Sequence, residues 1–348
     1  MDSASLDWAA ASLVTRGTLQ VRLRQLILVL GLAAACGPLQ TTGPATIRTT
    51  GITGVVAVGE GAVWVADASD GTLVKADERT GRVLATLRIG DHESLVRGGC
   101  GAANVDSFTM GEFSVRRCDL PSGLAVGAGS VWVARNDDRT LLRIDPRSDQ
   151  VLATIPTGVP AFAVAASSTA VWVSGFANDT LVRVDPRSDR VVAVLRDLPH
   201  GPAGIAITPE AVWVTYGRSD VVTRVDPATN RVVATIPVAS RPLAVVAAFG
   251  AVWVHSQVGA TVSRIDPATD AVVATVRVGP SQGREGLDDM GVARGGVWVA
   301  AIDLLRIDPR TNRISRRLSA NPNAVTASQG YLWMTATDGS VRRIEPPA

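Results

Sequence analysis

From about residue 45 onward, short apolar runs of four to six residues alternate with polar turns. A typical stretch opens with an apolar run such as Leu243–Ala247. It continues with Ala-Val-Trp-Val, a polar loop, a Leu-x-Arg-Ile type segment, an Asp-Pro pair, and Val-Val-Ala-Thr-Ile. Short runs with period-two alternation, broken by turn residues at roughly 8–12-residue spacing, predict strands. Valine and alanine supply most of the apolar positions, and valine's branched side chain packs well on a pleated surface. The Asp-Pro pairs, at Asp145, Asp185, Asp226, Asp266 and Asp308, would interrupt helices. They read as turns, with the Asp bonding local backbone and the Pro fixing φ.

The pattern repeats. Trp recurs at 64, 132, 172, 213, 253, 298 and 333, six of the seven inside Val-Trp-Val and the last in Leu-Trp-Met, at intervals of 68, 40, 41, 40, 45 and 35 residues. Four strands per unit and a period near 40 residues define a propeller blade. The expected fold is therefore all-β: a seven-bladed β-propeller of four-stranded blades spanning residues 45–348. A residue present at one place in every unit serves what every blade needs, so the Trp residues are expected between blades. The seventh unit lacks a fourth strand, and Ala45–Gly51 resembles the fourth strands elsewhere. The N-terminal strand is thus expected to complete the last blade and close the ring, which removes an exposed sheet edge.

These repeats resemble the YVTN-type and streptogramin B lyase-type (virginiamycin B lyase-like) seven-bladed propellers of bacteria. The resemblance covers residues 45–348 and concerns the fold, because one fold hosts many activities. It implies, as an alternative function, a magnesium-dependent C–O lyase acting with a top-face histidine. The lyase repeats typically read Trp-Phe-Thr-Glu, whereas these read mostly Trp-Val followed by variable residues, so no catalytic residue is carried over.

Composition narrows the remaining classes. The formal charge of +2 offers no basic face for a phosphate backbone, and nucleic acid is not expected as a partner. Arginine supplies every basic residue except Lys75, which reads as compositional bias rather than a binding feature. Residues 1–35 form a leader. Within it Arg22 and Arg24 precede the apolar run Leu26–Ala35, which ends at Cys36. That run is too short to span a bilayer as a helix and has the layout of a secretory signal. Small residues before Cys36 resemble a bacterial lipobox, and translation starting near Val21 would explain why residues 1–20 fit no export segment. Expected are export, lipidation of Cys36, and an extracytoplasmic domain held at the membrane by the tether 36–44. Gly37–Pro44, fully extended, would reach about 26–29 Å. Plain secretion without lipidation is the other reading.

Function is sought where the units differ. By propeller geometry, the loop leading into each blade and the loop after its second strand share one face, the top; the Asp-Pro turns lie on the bottom. Two insertions fall in lead-in loops, at about 91–119 and around Ser281–Asp289. The first holds Cys100 and Cys118, a disulfide pair in an exported protein. Candidate top-face ligand residues are His92, His200, Arg241, His255, Glu285, Asp288 and Asp289. A His beside carboxylates could do acid–base work or hold Mg²⁺. No metal or other cofactor is expected outside the lyase alternative. The sequence otherwise points to a binding or interaction module for a protein, glycan or small molecule. Gly-x-Ser-x-Gly, phosphate-loop and paired-histidine motifs are missing from the sequence.

Overall fold

The computed structural model describes residues 45–48, 53–67, 71–90, 108–110, 113–115, 121–136, 138–280, 290–328, 331–336 and 338–345. Seven four-stranded antiparallel sheets are arranged in a ring, with a separate two-stranded hairpin at Phe108–Met110 and Phe113–Val115. This is the seven-bladed β-propeller that the repeats predict. The innermost strands are Thr53–Gly59, Pro121–Gly127, Ala163–Ala166, Pro202–Ile207, Pro242–Ala248, Met290–Ala293 and Pro322–Ser328. Each packs against the next, and the last packs against the first.

Closure uses the N-terminal strand. Thr46–Arg48 pairs antiparallel with Ser340–Ile344, in the register Thr46↔Arg342, Ile47↔Val341 and Arg48↔Ser340. The Arg343 amide donates to the Ala45 carbonyl at 2.8 Å. Ile47 is buried in a cluster with Val56, Val63, Val65 and Val341, which joins the first and last blades.

The second strands carry the seven Trp residues, all essentially fully buried. Trp132 sits in the cluster of Val171, Val173, Val182 and Val184 from the following blade, so it is the mortar between two sheets. Burying so large an apolar surface at every junction is the main cohesive force of the ring.

A second device ties the junctions on the bottom face. Arg143 lies opposite Trp132 in the strand register, and its guanidinium stands 5.6 Å from that ring. From there it reaches the next blade and donates to the Pro186 carbonyl at 2.9 Å and to Asp189 Oδ1 at 3.0 Å. Arg183 makes the same reach to the Pro227 carbonyl and Asn230, Arg224 to Pro267 and Asp270, and Arg264 to Pro309 and Asn312. Lys75 does it in the first blade, to the Pro146 carbonyl at 2.6 Å and Asp149 at 2.8 Å. Each of these cations stands immediately before a register shift between the third and fourth strands. A bulge re-aims the neighbouring side chain, which here sends it across the junction. Compositional bias thus fails to account for these arginines: they clasp blade to blade.

The receiving turns are shaped for this. Asp149, Asp189, Asn230, Asp270 and Asn312 all have φ between 53° and 59°. Asp and Asn tolerate that left-handed geometry better than most residues. At the start of the turn, the Arg147 amide and the Ser148 hydroxyl hold the Asp145 carboxyl below its usual range. The first Asp shapes the turn, and the Pro carbonyl and the left-handed Asp or Asn side chain accept the clasp.

Candidate functional site on the top face

Ionisable side chains are excluded from the ring's innermost strands. The seven innermost strands contain no Asp, Glu, Lys, Arg or His. On the top face, site chemistry among the described residues therefore rests on the loops.

In the second to fifth blades the loop after the second strand contains a left-handed residue: Arg139, Asp179, Asp220 and Ala260 have φ of 56°, 52°, 52° and 50°. At Asp179 and Asp220 the carboxylate grips the lead-in loop of the following blade. Asp179 Oδ1 accepts from the Gly201 amide at 2.7 Å, and Oδ2 lies 2.7 Å from His200 Nδ1. Asp220 Oδ1 accepts from the Arg241 amide at 2.8 Å, and Oδ2 accepts from the Ser240 hydroxyl at 2.8 Å. His200 and Ser240 thus hold equivalent places in successive blades, and so do Gly201 and Arg241. Both of the latter have positive φ, 75° and 61°.

His200 is fixed on a second side. Its amide donates to Ser219 Oγ at 2.7 Å, and the Arg218 amide donates to its carbonyl at 3.3 Å. Its side chain is 74% exposed. With Nδ1 held against a carboxylate, the exposed ring leaves Nε2 free of the Asp179 contact. That is the orientation of a general base, and equally of a positioned hydrogen-bonding group.

Beside this pair lies an aromatic patch. Phe162 and Phe176 pack at 4.9 Å between ring centroids. Phe176 is buried with Ala203 and Leu243, and the exposed Arg218 guanidinium covers its ring at 4.8 Å. Partial burial lowers the Arg218 pKa, and the Asp179 carboxylate opposes that shift. Gly201 faces this side chain: a Cβ there would lie 3.0 Å from Arg218 Cγ. Below, Tyr216 is wholly buried and accepts from the Thr223 hydroxyl at 3.0 Å. Burial pushes its pKa up to about 12, so it stays a neutral phenol.

His255 lies elsewhere. It is fully buried in the second strand Ala251–Ser256, opposite Ala244 and Val262. Ser174 and Thr215 hold the same place in their blades, and there the hydroxyl bolts adjacent blades. Ser174 Oγ donates to the Ala203 carbonyl of the next blade at 2.8 Å, and Thr215 Oγ1 to Leu243 at 2.8 Å. Of the sequence-derived candidates, His200 and Arg241 are on top-face loops and His255 is inside a sheet. Cys36, His92, Cys100, Cys118, Glu285, Asp288 and Asp289 lie outside the described residues.

Asp179, Arg218, Phe162, Phe176 and Tyr216 are absent from the sequence-derived candidates. A signal was present. The chain has five Phe and two Tyr, and three of these seven fall in the top loops and strand ends of two adjacent blades.

Among the described residues, no group of three His, Cys, Asp or Glu could hold a metal ion. The Asp179 carboxylate is already taken by Gly201 and His200, so these residues do not form the ligand set that a magnesium site would need.

Comparison with known proteins places the fold. No family model matches the chain, and no curated protein matches it. Solved structures match in large number. One, described as a streptogramin B lyase structure, superposes with a TM-score of 0.62 at 14% identity, covering 86% of this chain and 96% of that one. The shared property is the propeller fold, as the repeats imply; at this identity the likeness does not extend to activity.

Proposed function

We propose that this chain is an extracytoplasmic binding propeller, lipid-anchored through Cys36, that captures its ligand on the top face around the third to fifth blades. The observation that carries the reading is the concentration of oriented polar and aromatic groups there, above an inner wall without ionisable side chains. Arg218 and Arg241 offer hydrogen-bond donors and positive charge, His200 offers an exposed ring nitrogen, and the half-buried Phe162 offers apolar contact. Such a mixed, pre-ordered surface suits a protein, glycan or small molecule carrying anionic or acceptor groups. The disulfide Cys100–Cys118 and the insertion around it are proposed to extend this face. The orientation of His200 by Asp179 is the feature a lyase would also use, so the two readings part on turnover. Full-length protein incubated with a streptogramin B and Mg²⁺ is expected to leave the ring intact, as followed by mass spectrometry. Ring opening that disappears in His200→Ala would overturn the binding reading in favour of the lyase.

A further inference from the structure

The bottom face carries a second, unrelated feature. A cavity of about 570 Å³ opens between the fifth and sixth blades. Phe249, Arg264, Arg306 and Arg310 line it, with Gly295, Asp308 and Pro309. The size falls in the usual range of small-molecule pockets.

Two departures from the repeat converge on it. The first is Phe249, which opens the two-residue turn Phe249-Gly250 with φ of 54°. Equivalent places hold Glu60, Ala128 and Arg294. A bulky aromatic residue is a poor choice for left-handed backbone, and Phe249 is 43% exposed, so core packing does not explain it either. Strain held without a structural return marks a functional place.

The second departure is Arg306. It stands where Arg143, Arg183, Arg224 and Arg264 stand in their blades. The seventh blade, however, takes its fourth strand from the N-terminus, so it offers no Asp-Pro turn to clasp. Arg306 folds back instead, donating to the Arg294 and Gly295 carbonyls at 3.2 Å and to Ser315 Oγ at 2.7 Å. Gly296 makes this possible: a Cβ there would lie 2.5 Å from Arg306 Nε, and the other blades carry Ala, Ser or Tyr at that place.

The charge of the lining adds to these two, with Arg310 at the place that Arg147 and Arg187 hold in their turns. Arg310 is exposed, and its guanidinium has no hydrogen-bond partner among the described residues. Arg264 holds the Pro309 carbonyl and Asn312 at 3.0 Å. Against three guanidinium groups stands one carboxylate, Asp308, which the Arg310 amide occupies at 2.8 Å. The balance favours an anion, and a guanidinium fork matches a carboxylate in particular.

We infer that this cavity is a binding site for small aromatic carboxylates, the acid group held by the arginines and the ring laid against Phe249. The probe is benzoate, titrated into the full-length protein and followed by saturation-transfer NMR. Acetate and benzyl alcohol supply the charge and the ring separately. Benzoate is expected to saturate, with each control roughly tenfold weaker or worse. Phe249→Asn is expected to weaken benzoate about tenfold while raising Tm, because Asn accepts positive φ. Arg310→Ser is expected to weaken benzoate about fivefold without moving Tm. The inference is overturned if benzoate does not saturate, if neither variant weakens it, or if Phe249→Asn lowers Tm, which would make Phe249 a structural residue.

Discussion

At the scale of single residues, the clasping cations decide how firmly adjacent blades are joined. Arg143 combines a stack on Trp132 with hydrogen bonds to Ser130, Pro186 and Asp189. The Arg143–Asp189 pair is partly exposed, with side chains 22% and 30% accessible, so screening reduces its worth. Arg143→Met is expected to destabilise by about 1–3 kcal/mol, mostly through the charge-assisted bonds. Arg143→Lys should lose well under half of that, because Lys75 performs the same reach in the first blade. Chemical denaturation of the two variants checks this, and equal losses would mean that planarity, not charge at that place, is what the junction needs. None of this was legible in the residue types alone. An arginine two residues before an Asp-Pro turn looks like surface, and only the bulge and the neighbouring blade show where it goes. His255 misleads in the opposite way: its departure from Ala, Ser and Thr suggested a ligand residue, yet its place is inside the sheet.

At the scale of strands and blades, the sequence was far more informative. Period-two runs, seven Trp markers and the Asp-Pro turns sufficed for strand number, blade number and the order within each blade. The missing fourth strand of the last unit pointed to Thr46–Arg48, which the register bears out. What the pattern could not show is which loops touch. Asp179 and His200 are 21 residues apart, on different blades, and meet because one blade's left-handed Asp leans onto the next blade's lead-in loop. Closure should dominate stability at this scale. Ile47 is 1% exposed, and Ile47→Ala should cost about 2–5 kcal/mol, in the range for large-to-small core changes. Deleting residues 45–48 should do more, since it also leaves Ser340–Ile344 as an unpaired edge. Thermal melts check both, and an unchanged Tm for the deletion would mean that the ring does not depend on this strand.

At the scale of the whole molecule, the propeller has two chemically distinct faces. The outermost strand of each blade runs from bottom to top, so Ala45 begins at the bottom rim. A lipid on Cys36, joined through Gly37–Pro44, would then hold the bottom face towards the membrane and present the top-face site outward. The most direct measurement of this arrangement is the accessibility of the two faces in the lipid-anchored protein. Single cysteines at Arg187, in a bottom turn, and at Val258, in a top loop and 66% exposed, would replace Cys100 and Cys118 as the reactive thiols. Val258 is preferred to Ser219, whose hydroxyl holds the His200 amide. On membranes, a bulky maleimide is expected to modify position 258 faster than 187, and in detergent the two should react at similar rates. Faster modification of position 187 on membranes would contradict the account, because the face carrying Asp179, His200 and Arg218 would then be turned towards the lipid.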